Sequence, residues 1–154
     1  MKNRKFEPKP GQVDYTNIRW TPVINCVLRY RGKLLVVRRS DALRFYPSCW
    51  NGISGFLDDR KSLREKVAAE IREELGMPKS AIRKIQIGEI FEMDDLKYMK
   101  TWIVHPVLVD VATDEVNLDW EAQNYRWLTP REVQRLKLLP GFRKVLQKLS
   151  PWIR

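Results

Sequence analysis

Three glutamates in one short stretch, Glu70, Glu73 and Glu74, are the residues of this chain best suited to chemistry. They lie in 55–77, GFLDDRKSLREKVAAEIREELGM, where Leu63, Val67, Ile71 and Leu75 recur at helical spacing. On a wheel of about 100° per residue those four form one apolar stripe, Glu70 and Glu74 border or enter it, and Glu73 lies further round. Glutamates serving only solubility would gather opposite the stripe. Carboxylates crowded at the margin of a core repel one another and lose hydration, which raises their pKa unless a cation sits among them. All-oxygen donors suit a hard divalent ion, Mg²⁺ first and Mn²⁺ second, with water and phosphate oxygens completing its shell. Taken alone, the same run also fits a solvated helix face with pairs such as Lys66–Glu70.

Composition thins the other options. His105 is the only histidine, and Cys26 and Cys49 have neither CxxC spacing nor histidine neighbours. A Cys/His zinc site is excluded, as is any Ser-His-Asp triad not built on His105. His105 itself, beside Pro106 in an apolar run, reads as a structural histidine. With 154 residues and 44% hydrophobic content the chain fits one domain: a basic arm over 1–19 and a single folded unit over 20–154. The net charge is +10, of which 1–19 carries +3 and 129–154 carries +6, while 20–128 is nearly neutral at +1. The basic ends admit RNA as a partner without requiring it, and they could steer phosphorylated substrates. No leader-like apolar run follows Met1, and no apolar stretch of about 18 residues exists, so a soluble, cytoplasmic protein away from membranes is expected.

The elements that must position the glutamates follow from periodicity and punctuation. Strands are expected over 20–30 and 33–39, joined at Arg31-Gly32, and a turn-rich loop over 40–51 holds Phe45, Tyr46, Pro47 and Trp50. A short strand over 53–57 leads into a helix over 62–75, with Ser62 and Glu65 at capping spacing and Gly76 and Pro78 as its stop. Further strands are expected over 85–93, 99–112 and 125–128. The second is read as an edge or bulged strand because Pro106 cannot donate a ladder bond. Asp94, Asp95 and the acidic stretch 114–121 read as loops. Thr129-Pro130-Arg131-Glu132 forms a capping box, and a last helix is expected over 140–149. Strands interleaved with helices make an α/β or α+β sandwich.

The 55–77 segment resembles the Nudix box, G-x5-E-x7-R-E-U-x-E-E-x-G-U with U apolar. Gly55, Glu70, Ile71, Glu73, Glu74, Gly76 and Met77 match seven of its nine defined positions; Lys61 and Ala69 replace its first glutamate and its arginine. The leading hairpin ending in LLVVRRS, the aromatic loop and the Glu121…Trp127 pair extend the likeness over most of 20–150. The resemblance implies a Nudix-type α/β/α sandwich with a mixed β-sheet between helices, and metal binding by Glu70, Glu73 and Glu74. It further implies Mg²⁺-dependent hydrolysis of a nucleoside diphosphate linked to another group, with Glu73 or Glu121 taking the proton from the attacking water. Arg38, Arg39 and Arg44 are candidates to hold phosphate oxygens or are solvated strand ends; Trp50 is a candidate to stack on a base, Gly55 is a further substrate-binding candidate, and Trp127 resembles a structural tryptophan. Cys49 invites comparison with the family's diphosphate isomerases, but the spacing around WNGISG argues against it. Many members are homodimers. Because Ala69 and Lys61 remove supporting groups, the alternative is a catalytically weakened Nudix-fold module that binds a nucleotide or RNA.

Overall fold

A computed structural model describes residues 7–153. In chain order it contains β1 (Trp20–Tyr30), β2 (Lys33–Arg39), β3 (Trp50–Asn51), β4 (Ile53–Phe56), α1 (Leu63–Leu75), a 3₁₀ turn (Lys79–Ala81), β5 (Ile82–Ile87), β6 (Phe91–Asp95), β7 (Lys100–Val111), β8 (Ala122–Leu128), α2 (Pro130–Val133) and α3 (Phe142–Leu149). β1 and β2 meet only beside their turn, where Arg29 faces Leu34 and Tyr30 faces Lys33. They then diverge: β4 pairs antiparallel with β1 over Val23–Cys26, and β8 and β3 pair with β2. On its other edge β1 runs parallel to β7 in register from Trp20–Thr101 to Arg29–Asp110. One parallel and several antiparallel pairings make the sheet mixed.

Side-chain alternation assigns each face a helix layer. Ile24, Cys26 and Leu28 of β1, with Leu35 and Val37 of β2, pack with Val67, Ile71 and Leu75 of α1. Val27, Leu34, Val36 and Leu108 face the opposite way, against Val133 of α2 and Phe142, Val145, Leu146 and Leu149 of α3. The helix α1 begins as its caps demand: the Ser62 side chain accepts from the Glu65 amide at 3.2 Å, and Gly76 closes it in the left-handed conformation at φ 64°. The capping box at Thr129 and Glu132 is complete, with Pro130 in the first turn of α2.

Four sequence expectations are corrected. The single strand over 85–93 is two strands, β5 and β6, broken around Gly88, each antiparallel to β7. The Gly88 amide donates to the Pro106 carbonyl at 2.8 Å, and a Cβ at Gly88 would come within 3.1 Å of Leu149, so the chain turns there with α3 packed close. Second, β7 is not an edge strand: β1 lies on one side and β5 and β6 on the other. Pro106 is tolerated because it lies opposite the break between β5 and β6, where its carbonyl accepts from Gly88 and no ladder pairing to those strands is lost. Third, Asp94 and Asp95 lie in β6 rather than a loop. Asp95 is buried, and its Oδ2 accepts from Tyr46 Oη at 2.7 Å and Trp102 Nε1 at 2.9 Å. In addition, β8 begins three residues earlier than expected, at Ala122. Among the described residues no helix is long and apolar enough to cross a membrane.

Candidate active site

The divergence of β1 and β2 admits β4, and β4 delivers Gly55 beneath α1. A Cβ at Gly55 would lie 2.5 Å from Cδ and 2.6 Å from Oε1 of Glu70, so only glycine lets that carboxylate lie against the strand. Past β4 the chain turns through Asp58 and Asp59 into Ser62. The Lys66 side chain, 8% exposed, reaches back from the first turns of α1 and lies 3.0 Å from Asp58 Oδ1, 3.5 Å from Asp59 Oδ2 and 3.5 Å from Glu70 Oε1. Lys61 pairs with Asp59 at 2.9 Å. Burial opposes the Lys66 charge, but the bond to Asp58 and the fields of Glu70, Asp58 and Asp59 outweigh it and raise its pKa. The Lys66–Glu70 pair is therefore an internal ion pair rather than the surface decoration that helical spacing alone suggests.

The other end of α1 is organised by the loop over 112–121. The Asn117 amide donates to the Leu75 carbonyl at 2.9 Å and the Asp119 amide to the Glu74 carbonyl at 3.2 Å, which satisfies carbonyls that a helix end leaves free. The Asp119 side chain accepts from the Glu121 amide at 2.9 Å, and the Glu121 carbonyl accepts from the Ser40 amide at 2.8 Å. Glu121 is thereby fastened to both the helix end and the end of β2. Its carboxylate lies beside that of Glu74, close enough to act on the ionisation of Glu74. Burial first, and Glu121 next, push Glu74 well above the usual carboxylate range. Burial likewise lifts Glu70 to about 7 against the opposing pull of Lys66, and Asp119 is raised by the same cause. Glu74 Oε2 is buried with no hydrogen-bond partner among the described residues.

This arrangement fits a divalent cation by its chemistry. Several oxygen donors share one low-dielectric place, one is orphaned, and their mutual repulsion falls when positive charge enters. Among the described residues, no three histidine, cysteine, aspartate or glutamate side chains are already gathered at metal-holding spacing. The carboxylates are close enough to perturb one another without converging on one point.

The structure separates the remaining candidates. Arg39 follows Leu35 and Val37 onto the α1 face; Glu74 and Glu121 both act on its guanidinium, and its Nε donates to the Phe45 carbonyl at 3.0 Å. Arg38, the next residue in alternation, turns to the other face, where its Nε lies 3.4 Å from the Ser48 carbonyl. Arg44 stacks on Phe45 at 5.0 Å, and Trp50 packs on the α2–α3 side with Arg126 at 5.9 Å from its ring. Neither Arg38 nor Trp50 shares the face that carries Glu70 and Glu74. Glu73 is exposed on α1. His105 Nδ1 lies 3.1 Å from the Val23 carbonyl and 3.3 Å from that of Ile103, and Trp127 Nε1 donates to the Asp114 carbonyl at 3.1 Å, both in structural roles. Sequence reasoning missed Lys66, Asp58 and Asp119 as parts of the site. The signal for Lys66 was its wheel position, beside Glu70 at the margin of the apolar stripe.

Fold and site together define an α/β/α sandwich that presents a carboxylate-lined helix against a mixed sheet. The chain belongs to the Nudix domain family, whose pattern it matches over residues 19–149. Solved structures share the fold. The MutT protein from Methanosarcina mazei superposes with a TM-score of 0.70 at 21% identity, over 88% of this chain and 96% of that one. A Nudix hydrolase from Nitrosomonas europaea gives 0.71 at 16% identity, over 88% and 92%. An Ap4A hydrolase from C. elegans gives 0.63 at 19% identity, over 88% and 97%. No curated protein matches the chain by sequence.

Proposed function

We propose that the chain is a Mg²⁺-dependent pyrophosphohydrolase that cleaves a phosphoanhydride linkage in a nucleotide or nucleotide derivative, with Mn²⁺ able to replace Mg²⁺. The observation that carries this reading is the Glu74 carboxylate beside Glu121, with its Oε2 buried and orphaned and Arg39 near it. Glu70, Glu73 and Glu74 would hold the ion. When bound, a divalent ion of this kind neutralises diphosphate charge and makes a water acidic enough to attack phosphorus.

The chain's own residues supply the rest. Arg39, its plane fixed by the bond to the Phe45 carbonyl, offers its remaining N–H donors to a phosphate oxygen. Glu73 or Glu121 takes the proton of the attacking water. Gly55 leaves the space in which the Glu70 carboxylate lies, and Asp119 anchors the loop that carries Glu121. The loss of the box arginine at Ala69 favours one competing reading, a module that binds a nucleotide or RNA without turnover.

Phosphate release from nucleoside triphosphates, nucleotide sugars, capped RNA and dinucleoside polyphosphates tests the proposal, with Mg²⁺ present and Glu73→Gln and Glu121→Gln alongside. Dinucleoside polyphosphates enter because one structural relative is an Ap4A hydrolase. Turnover that disappears in one of the two variants supports hydrolysis and identifies the base. Nucleotide binding with no turnover above either variant supports the binding module.

A further inference from the structure

The geometry points to Lys66 as a positioning residue for Glu70, fastened through Asp58 to the N-terminal segment at Gln12. The inference rests on the metal-dependent reading above. Three observations carry it. Lys66 is a buried ammonium whose side chain is almost wholly withdrawn from water, with carboxylates on three residues around it. It is the only hydrogen-bond or ion-pair partner found for the Glu70 carboxylate among the described residues, and it engages Oε1. With Gly55 against Cγ, Cδ and Oε1, the Glu70 carboxylate is held on two sides, and Oε2 is the oxygen left for another ligand.

The second half of the device lies in the segment before β1. Asp58 divides its two oxygens: Oδ1 takes Lys66 at 3.0 Å, and Oδ2 takes Gln12 Nε2 at 2.7 Å. The Val13 amide donates to the Asp58 carbonyl at 2.6 Å, and Tyr15 Oη donates to the Leu57 carbonyl at 2.9 Å. Residues 12–15 thus pin both backbone and side chain of the turn that leads into α1. A continuous set of contacts runs from Gln12 through Asp58 and Lys66 to Glu70.

An ammonium beside a metal ligand would ordinarily repel the incoming ion. Here Lys66 and Lys61 face Asp58 and Asp59, two positive and two negative side chains in one cluster. The local charge is balanced, so its repulsion of a second cation is small and its orienting effect on Glu70 persists. The box arginine's position is Ala69, one turn before Glu73, so no basic side chain stands there.

The test is a calorimetric Mn²⁺ titration of the substrate-free protein, comparing wild type with Lys66→Met, Lys66→Arg, Asp58→Asn and Gln12→Ala, each checked for folding by circular dichroism. Expected is a Mn²⁺ affinity reduced about ten-fold or more in Lys66→Met, largely recovered in Lys66→Arg, and reduced less, about two- to five-fold, in Gln12→Ala. Asp58→Asn keeps the lysine and loosens it, so it should fall between these, and it carries the test if Lys66→Met does not fold. Folded Lys66→Met, or in its place Asp58→Asn, binding Mn²⁺ as tightly as wild type overturns this inference alone. A wild-type protein that binds no Mn²⁺ overturns the functional reading as well.

Discussion

The two ends of α1 solve the same electrostatic problem differently. Toward its start, Glu70 is buried beside Lys66, a cation the chain itself provides and neutralises through Asp58. Toward its end, Glu74 lies beside Glu121 and Asp119, with a buried oxygen that has no hydrogen-bond partner among the described residues, and Arg39 of β2 is near enough to feel its charge. A carboxylate in an internal ion pair is held in place; a carboxylate pair with no ion pair among the described residues has affinity to spare for a cation that arrives from outside. The contrast divides the helix into a fixed half and a receptive half. It also explains why Lys61, opposite in charge to the box glutamate, is accommodated: it belongs to the balanced cluster around Asp59 rather than to the receptive end.

Substitutions can break that contrast. The largest effect is expected from Glu74→Gln, which should lower Mg²⁺-dependent phosphate release by about a hundred-fold or more while leaving the metal-free melting temperature unchanged or higher, because buried repulsion is relieved. A loss of stability without a loss of turnover would erase the distinction between the two halves. Next comes Gly55→Ala, where the added methyl must displace the Glu70 carboxylate 2.5 Å away. A cost of about 1–3 kcal/mol in denaturant unfolding is expected, together with weaker Mn²⁺ binding.

A pH series sharpens the same division. Burial lifts Glu70 to about 7 in the folded chain against an ordinary 4.5, and it raises Glu74 well above the usual carboxylate range. A carboxyl that keeps its proton when folded and loses it when unfolded makes stability fall as pH rises between those values. The metal-free melting temperature should therefore decline from about pH 5 to about pH 7, and Mg²⁺ should raise it more at the upper end, where the Glu70 carboxylate is ionised. A flat profile would show that the carboxylates are not desolvated. The smallest effect concerns delivery. Neutralising Arg143, Lys144 and Lys148 should reduce the dependence of kcat/KM on ionic strength by a few-fold at most, and an unchanged salt dependence would reduce that surplus charge to solubility.

Much of this arrangement was legible in the sequence because local physics and tertiary structure agree there. α1 has a side-chain cap at Ser62, a glycine stop at Gly76 and a clean apolar stripe, so its extent and buried face follow directly. The hairpin at Arg31-Gly32 is equally local. What escaped depends on partners distant in sequence. Pro106 reads as an edge signal, and only the break between β5 and β6 makes it acceptable in a central strand. Arg38, Arg39 and Arg44 looked equivalent; alternation along β2 already favoured Arg39, the residue in phase with Leu35 and Val37. Lys66 looked like an i,i+4 surface pair because helical spacing does not reveal that Asp58 and Asp59 fold back over it. Asp119 was one acid in a loop until its amide and side chain proved to join the end of α1 to Glu121.

The central claim is that the end of α1 carrying Glu74 receives a divalent cation. It is tested most directly by titrating Mn²⁺ calorimetrically into wild type and Glu74→Gln, both free of substrate. The account predicts saturable binding in wild type and an affinity at least about ten-fold weaker in the variant. Equal binding in the two proteins, or none in either, would contradict it.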